Sequence, residues 1–206
     1  MRARAIAIAC LAAIACVSVA ASSAEAAKKG ELVNATKGAL KKNDVKGTAK
    51  AVTLEAGETK FGCGEGVLEG KVTSTTGGEG KITFKGCELP GKTPGTGCAT
   101  GTEPVGTVTL PLLWGYVEVG GKDVWEKTIK PETEIVCGAT KIQVKGAFLS
   151  LVSPEEKLTK EFTLNSKEKL ESKKETLEIS VNGKSFEKAH LPLELKVTLE
   201  EEAEFI

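Results

Sequence analysis

Through most of the chain, apolar side chains recur at every second position. In residues 48–54, Val52 and Leu54 share a side with Lys50; in residues 81–85, Ile82 and Phe84 alternate with Lys81, Thr83 and Lys85. Residues 141–148 repeat the arrangement with Ile142, Val144 and Phe148, and residues 193–199 do so with Leu193, Leu195, Val197 and Leu199. A period of two is the mark of a strand with one buried face. Leu177, Ile179 and Val181 alternate with Glu178 and Ser180 and run into Asn182-Gly183, so residues 177–199 carry the strongest hairpin signal. Two segments lean toward helix. Ser153-Pro154-Glu155-Glu156 has the form of a capping box, yet residues 159–164 alternate, which leaves room for one helical turn at most. Residues 31–42 fit helical spacing, but Gly38 costs about 1 kcal/mol inside a helix, and a strand at 32–35 fits slightly better.

These patterns predict an all-β domain, an antiparallel β-sandwich or partly closed β-barrel of roughly ten strands sharing one core. Glycine (23 residues) punctuates the strands as turns. Residues 88–105, with three prolines and Cys98, read as an irregular loop, and the Lys/Glu-dense stretch 166–175 as a solvated loop or hairpin tip.

The first 26 residues break the pattern. Arg2 and Arg4 precede an apolar run over 5–21, followed by Ala24-Glu25-Ala26, which are the three parts of a secretory signal peptide. The expectation is a signal helix over 1–26, cleavage after Ala26, and a single β-rich domain over 27–206. A retained anchor is the rival, but the run is at the short edge of the ~17–25 residues a membrane span needs. A second rival is acylation at Cys16, whose preceding residues make a weak lipoprotein signal. No later segment is apolar enough to span a membrane as a helix, so the expected location is secreted or extracytoplasmic.

Composition narrows the partners. The chain has 28 basic and 28 acidic residues; without Arg2, Arg4 and Glu25 the remainder is nearly neutral and, apart from His190, its basic residues are all lysine. Arginine is preferred for bidentate phosphate and base recognition, so a nucleic-acid partner is not expected. Removal of the signal takes Cys10 and Cys16 and leaves Cys63, Cys87, Cys98 and Cys137. Four cysteines with no Cys-x-x-Cys spacing and one histidine point to two disulfides rather than a metal site. Residues 63 and 87 average to position 75, beside Thr75-Thr76-Gly77-Gly78. A turn there folds 67–73 onto 80–85 and sets Cys63 opposite Cys87, leaving Cys98 to pair with Cys137.

Candidate chemistry is sparse. His190 is the only histidine, no Gly-x-Ser-x-Gly is present, and Asp44 and Asp123 adjoin turns, so a hydrolytic triad has no visible members and His190 reads as a rim residue. Gly77-Gly78-Glu79-Gly80-Lys81 lacks the phosphate-loop frame. The glutamates are expected to pair with lysines across a solvated face. Trp114, Tyr116 and Trp125, both tryptophans and the only tyrosine, fall close together, with Trp125 expected to return beside the other two after Gly120-Gly121. They read either as core or as a candidate ligand surface. No cofactor is implied.

The order of these motifs is familiar. Ile82-Thr83-Phe84-Lys85-Gly86-Cys87 is followed by a glycine-rich loop with Cys98. Gly106-Thr107-Val108-Thr109-Leu110-Pro111-Leu112-Leu113-Trp114-Gly115-Tyr116, Val136-Cys137-Gly138, Ile142-Gln143-Val144-Lys145-Gly146, Glu161-Phe162-Thr163-Leu164 and Asn182-Gly183-Lys184-Ser185-Phe186-Glu187 come after it. In this the chain resembles uncharacterised exported, β-rich, disulfide-bearing proteins of actinobacteria, over most of 59–206. The resemblance implies secretion and an envelope context, and it brings no catalytic or ligand-binding residues with it. The expected function is a secreted or envelope-associated, non-enzymatic binding or structural module. The alternatives are an extracellular carrier of a small apolar ligand, or an extracellular hydrolase using paired glutamates.

Overall fold

The computed structural model describes residues 30–57, 59–90, 97–154, 157–167 and 175–206. The expected signal helix, Glu155-Glu156 of the capping box and most of the 166–175 loop lie outside them. The described chain forms twelve strands: β1 (Leu32–Asn34), β2 (Asp44–Ala56), β3 (Thr59–Ser74), β4 (Gly77–Lys85), β5 (Cys98–Thr100), β6 (Thr107–Val119), β7 (Lys122–Cys137), β8 (Thr140–Ser153), β9 (Thr159–Asn165), β10 (Glu178–Val181), β11 (Glu187–Lys188) and β12 (Glu194–Phe205). Every ladder is antiparallel. The sheet runs β11-β10-β8-β9-β12-β2-β3-β4-β6-β7-β5, and β8 also pairs with β7, so the sheet bends back over a shared core in a sandwich-like arrangement. That is the all-β antiparallel class the alternation predicts.

Alternation explains the core. Leu68, Ile82, Phe84, Val108, Leu110, Leu112, Ile142, Val144, Leu195 and Val197 are all buried, and they belong to one cluster. On the opposite face lysines meet glutamates across strands: Lys81–Glu69 at 3.7 Å, Lys85–Glu65 at 3.8 Å and Lys71–Asp44 at 3.9 Å. Such exposed pairs fix register more than they add stability. The alternation resets once, and three strands reset together. Lys50-Ala51, Gly64-Glu65 and Lys85-Gly86 are consecutive exposed pairs, and Gly86 takes a positive φ of 63°. Beyond that bend Val52, Cys63 and Cys87 again face the core.

Two local expectations need qualifying. The 32–35 segment is a strand over Leu32–Asn34, and Asn34 stops it: its Oδ1 accepts from the Thr36 and Gly38 amides while its amide donates to the Ala39 carbonyl. The hairpin expected over 177–199 forms only in part. Asn182 and Gly183 do turn the chain at positive φ, but β10 pairs with short β11 and with β8, whereas β12 pairs with β9 and β2. The strand is diverted at His190, whose backbone exchanges two hydrogen bonds with Glu55, just before Pro192, which has no N–H to give a ladder.

Candidate functional site: a lysine inside an aromatic core

At one end of the core, β6 supplies Trp114 and Tyr116, β7 supplies Trp125 and Lys127, and β8 supplies Phe148 and Ser150. The register sets Tyr116 opposite Trp125 and Trp114 opposite Lys127. The two strands are joined through Gly120 and Gly121, both at positive φ, the geometry a two-residue hairpin turn needs. Trp114, Tyr116 and Trp125 are 5%, 1% and 1% exposed. They meet edge to face, with centroids 5.4 Å apart for Trp114–Trp125 and 5.5 Å for Tyr116–Trp125, and the array continues through Phe205 to Phe162. The three candidate ligand-surface residues are thus brought together, and their rings are spent on one another inside the core.

Trp114 needs space, and glycine provides it. A Cβ on Gly78 would lie 2.6 Å from Trp114 Nε1, and one on Gly80 would lie 2.9 Å from its Cζ3. Gly70 also faces this ring. The glycine run that resembles a phosphate loop in composition is the floor under an indole.

Lys127 is the residue sequence reasoning missed. It is 1% exposed, with its ammonium nitrogen 2.8 Å from Ser150 Oγ and 3.4 Å from the Trp125 carbonyl oxygen. The nitrogen also lies 5.1 Å from the Phe148 ring centroid and 5.5 Å from that of Trp125. Burial alone pulls its pKa from the usual lysine value down to about 7. The Tyr116 phenol is pushed up by the same burial, and the nearby Trp114 N–H pulls weakly the other way. Period two was the available signal: Trp125, Lys127 and Ile129 share a face.

The opposite end of the core is held covalently. Cys63 is bonded to Cys87 and Cys98 to Cys137, the pairing expected from the turn at 75. Gly62 and Glu88 exchange backbone hydrogen bonds beside the first bond, and Cys98 and Cys137 are register partners at the second. The two staples are linked in turn, because the Cys98 amide donates to the Cys87 carbonyl at 2.8 Å. β3, the end of β4, β5 and β7 are therefore fastened in one chain of bonds.

Near this end Val52, Leu54, Phe61, Val108, Ile129 and Leu177 border a cavity of about 10 Å³. Ligand pockets occupy roughly 300–1,000 Å³, so this void is packing slack rather than a cargo site. His190 is less exposed than a rim residue should be. It is buried, with Nδ1 3.3 Å from Glu175 Oε1. No glutamate is among the buried polar residues described, and among the described residues no three metal-ligating side chains converge. No family model matches the chain, and no curated protein or solved structure is similar to it.

Proposed function

We propose that the chain is an exported, non-enzymatic binding or structural module that works outside the cytoplasm, secreted or associated with the envelope. The observation that carries this reading is the pair of buried disulfides. Cross-links of this kind persist in oxidising compartments, and here they fasten one end of the core. The signal-like first 26 residues and the likeness to exported actinobacterial proteins support the same compartment. A core filled by side chains supports a role played at the surface rather than by a ligand enclosed within the core. The outer face, where lysines and glutamates alternate across β2, β3 and β4, is the surface such a module offers. A near-neutral, arginine-free surface does not favour nucleic acid as the partner.

Expression of the full chain in a bacterial host, followed by fractionation and intact mass, tests the proposal. The expected product lies outside the inner membrane, begins at Ala27 and has no free thiol. Recovery from the cytosol with residues 1–26 attached, or of a form acylated on Cys16, would overturn free secretion.

A further inference from the structure

The outer face of β6, β7 and β8 departs from the charged exterior beside it. Val117, Val124 and Leu149 point away from the main core yet are buried, Val124 at 1% and Leu149 at 2% exposure, with Val119 and Leu151 half-buried around them. Register places them side by side: Val117 opposite Val124, Val124 opposite Leu151, and Leu149 opposite Glu126. Side chains on one face of a sheet stand roughly perpendicular to it, so their tips stay open unless a layer lies over them. Among the described residues this cluster draws its apolar side chains from β6, β7 and β8 alone. On the neighbouring outer face Lys46, Glu69 and Lys81 are exposed, as an uncovered face should be.

The chain itself arrives at this face. Gly30 is buried, and a Cβ there would lie 3.5 Å from the Val117 nitrogen and 3.6 Å from the Tyr116 carbonyl carbon. Its path is fixed by the two hydrogen bonds that Glu31 exchanges with Ile206 and by the Leu32 amide donating to the Thr75 carbonyl. Ahead of Gly30 stand 29 residues, including the apolar run 5–21. The connecting residues 22–29 can span up to about 27 Å when extended, enough to carry that run across three strands. Its many alanines allow a helix or strand to approach a flat valine and leucine face closely.

We propose that this face is the docking site of the chain's own N-terminal apolar segment, occupied while the segment is attached and opened when it is removed. The uncleaved full chain carries a built-in probe, because Cys10 and Cys16 lie within the segment. Leu149→Cys in the full chain, mildly oxidised and mapped under non-reducing conditions, should give a peptide joining position 149 to Cys10 or Cys16 of the same molecule. Leu151→Cys, at the half-buried margin, should do likewise and decides the matter if the first variant loses its native disulfides. Thr48→Cys, on the outer face of β2, should yield roughly tenfold less, as the lower effective concentration dictates. Equal linkage from position 48, or none from 149 and 151 while Cys63–Cys87 and Cys98–Cys137 are intact, overturns the assignment. Linkage between two molecules would give the face to a second copy and overturn it equally.

Discussion

The two ends of this core are closed by different means. At one, four cysteines fasten β3, β4, β5 and β7 around an apolar interior. At the other, an aromatic array closes over a buried amine with one hydroxyl and one carbonyl oxygen for partners. The stapled end gains by restricting the unfolded chain, whereas the aromatic end gains by burying large rings and gives part of that back in desolvating Lys127. Covalent closure falls where the ladder is short: β5 pairs with β7 over only three residues, and its disulfide joins the first of those pairs. Where β6, β7 and β8 are in continuous register, packing suffices, and a charge-bearing side chain can be tolerated as long as it gives up its proton.

The largest effect expected from breaking this contrast is at the staples. By the loop-entropy relation each bond contributes about 3–4 kcal/mol, so replacing all four cysteines by alanine removes roughly 7 kcal/mol. That is comparable to the whole stability of a typical domain, about 5–15 kcal/mol. Urea titration of the double and quadruple variants reads it; an unchanged midpoint would show that the loop end needs no covalent closure.

Lys127→Met comes next, and its sign is opposite. The folded lysine titrates near pH 7 and the unfolded one near its ordinary value of 10.5. Between those values the unfolded chain holds a proton that the folded chain does not, so stability rises as pH is raised from 7 to 10.5, and below 7 the penalty is complete. Methionine removes the penalty and should stabilise the protein by a few kcal/mol at pH 7, less about 1 kcal/mol for the hydroxyl of Ser150 left without its partner. It should also flatten the rise toward pH 10. Melting temperature against pH for the two proteins checks both; an identical profile would place the amine in water.

Gly78→Ala should be smaller. The added methyl collides with the Trp114 indole and the Lys71 carbonyl, an overpacking that typically costs about 1–3 kcal/mol. Tryptophan fluorescence should shift with it. Smallest is His190→Ala, which removes one part-buried hydrogen bond to Glu175, worth about 1 kcal/mol. A loss several times larger would mean that the histidine organises more than its own corner.

The stapled end was also the more legible of the two. Pairing of Cys63 with Cys87 follows from a turn at position 75, and it survives the bend in β3 because β2 and β4 bend at the same level, keeping both sulfurs on one side. The aromatic end was harder to read. Lys127 shares a face with Trp125 and Ile129, but the prior for lysine is so strongly outward that alternation alone does not overrule it. The glycines of β3 and β4 look like turn residues until the indole above them is seen. The partner of β12 was hidden for another reason. Local alternation predicts strands well, yet which strands pair depends on long-range closure, and the short return through β11 and His190 carries no periodic signal.

The covalent closure is tested most directly by how the four sulfurs are joined. Cys87 and Cys98 are already neighbours through a backbone hydrogen bond, so a competing pairing of those two is within reach and the test is a sharp one. Peptide mapping of the full chain expressed in a bacterial host, under non-reducing conditions, should find Cys63 linked to Cys87 and Cys98 linked to Cys137. Fragments joining Cys87 to Cys98 or Cys63 to Cys137, or free thiols at these positions, would contradict the covalent closure of that end and the oxidising compartment inferred from it.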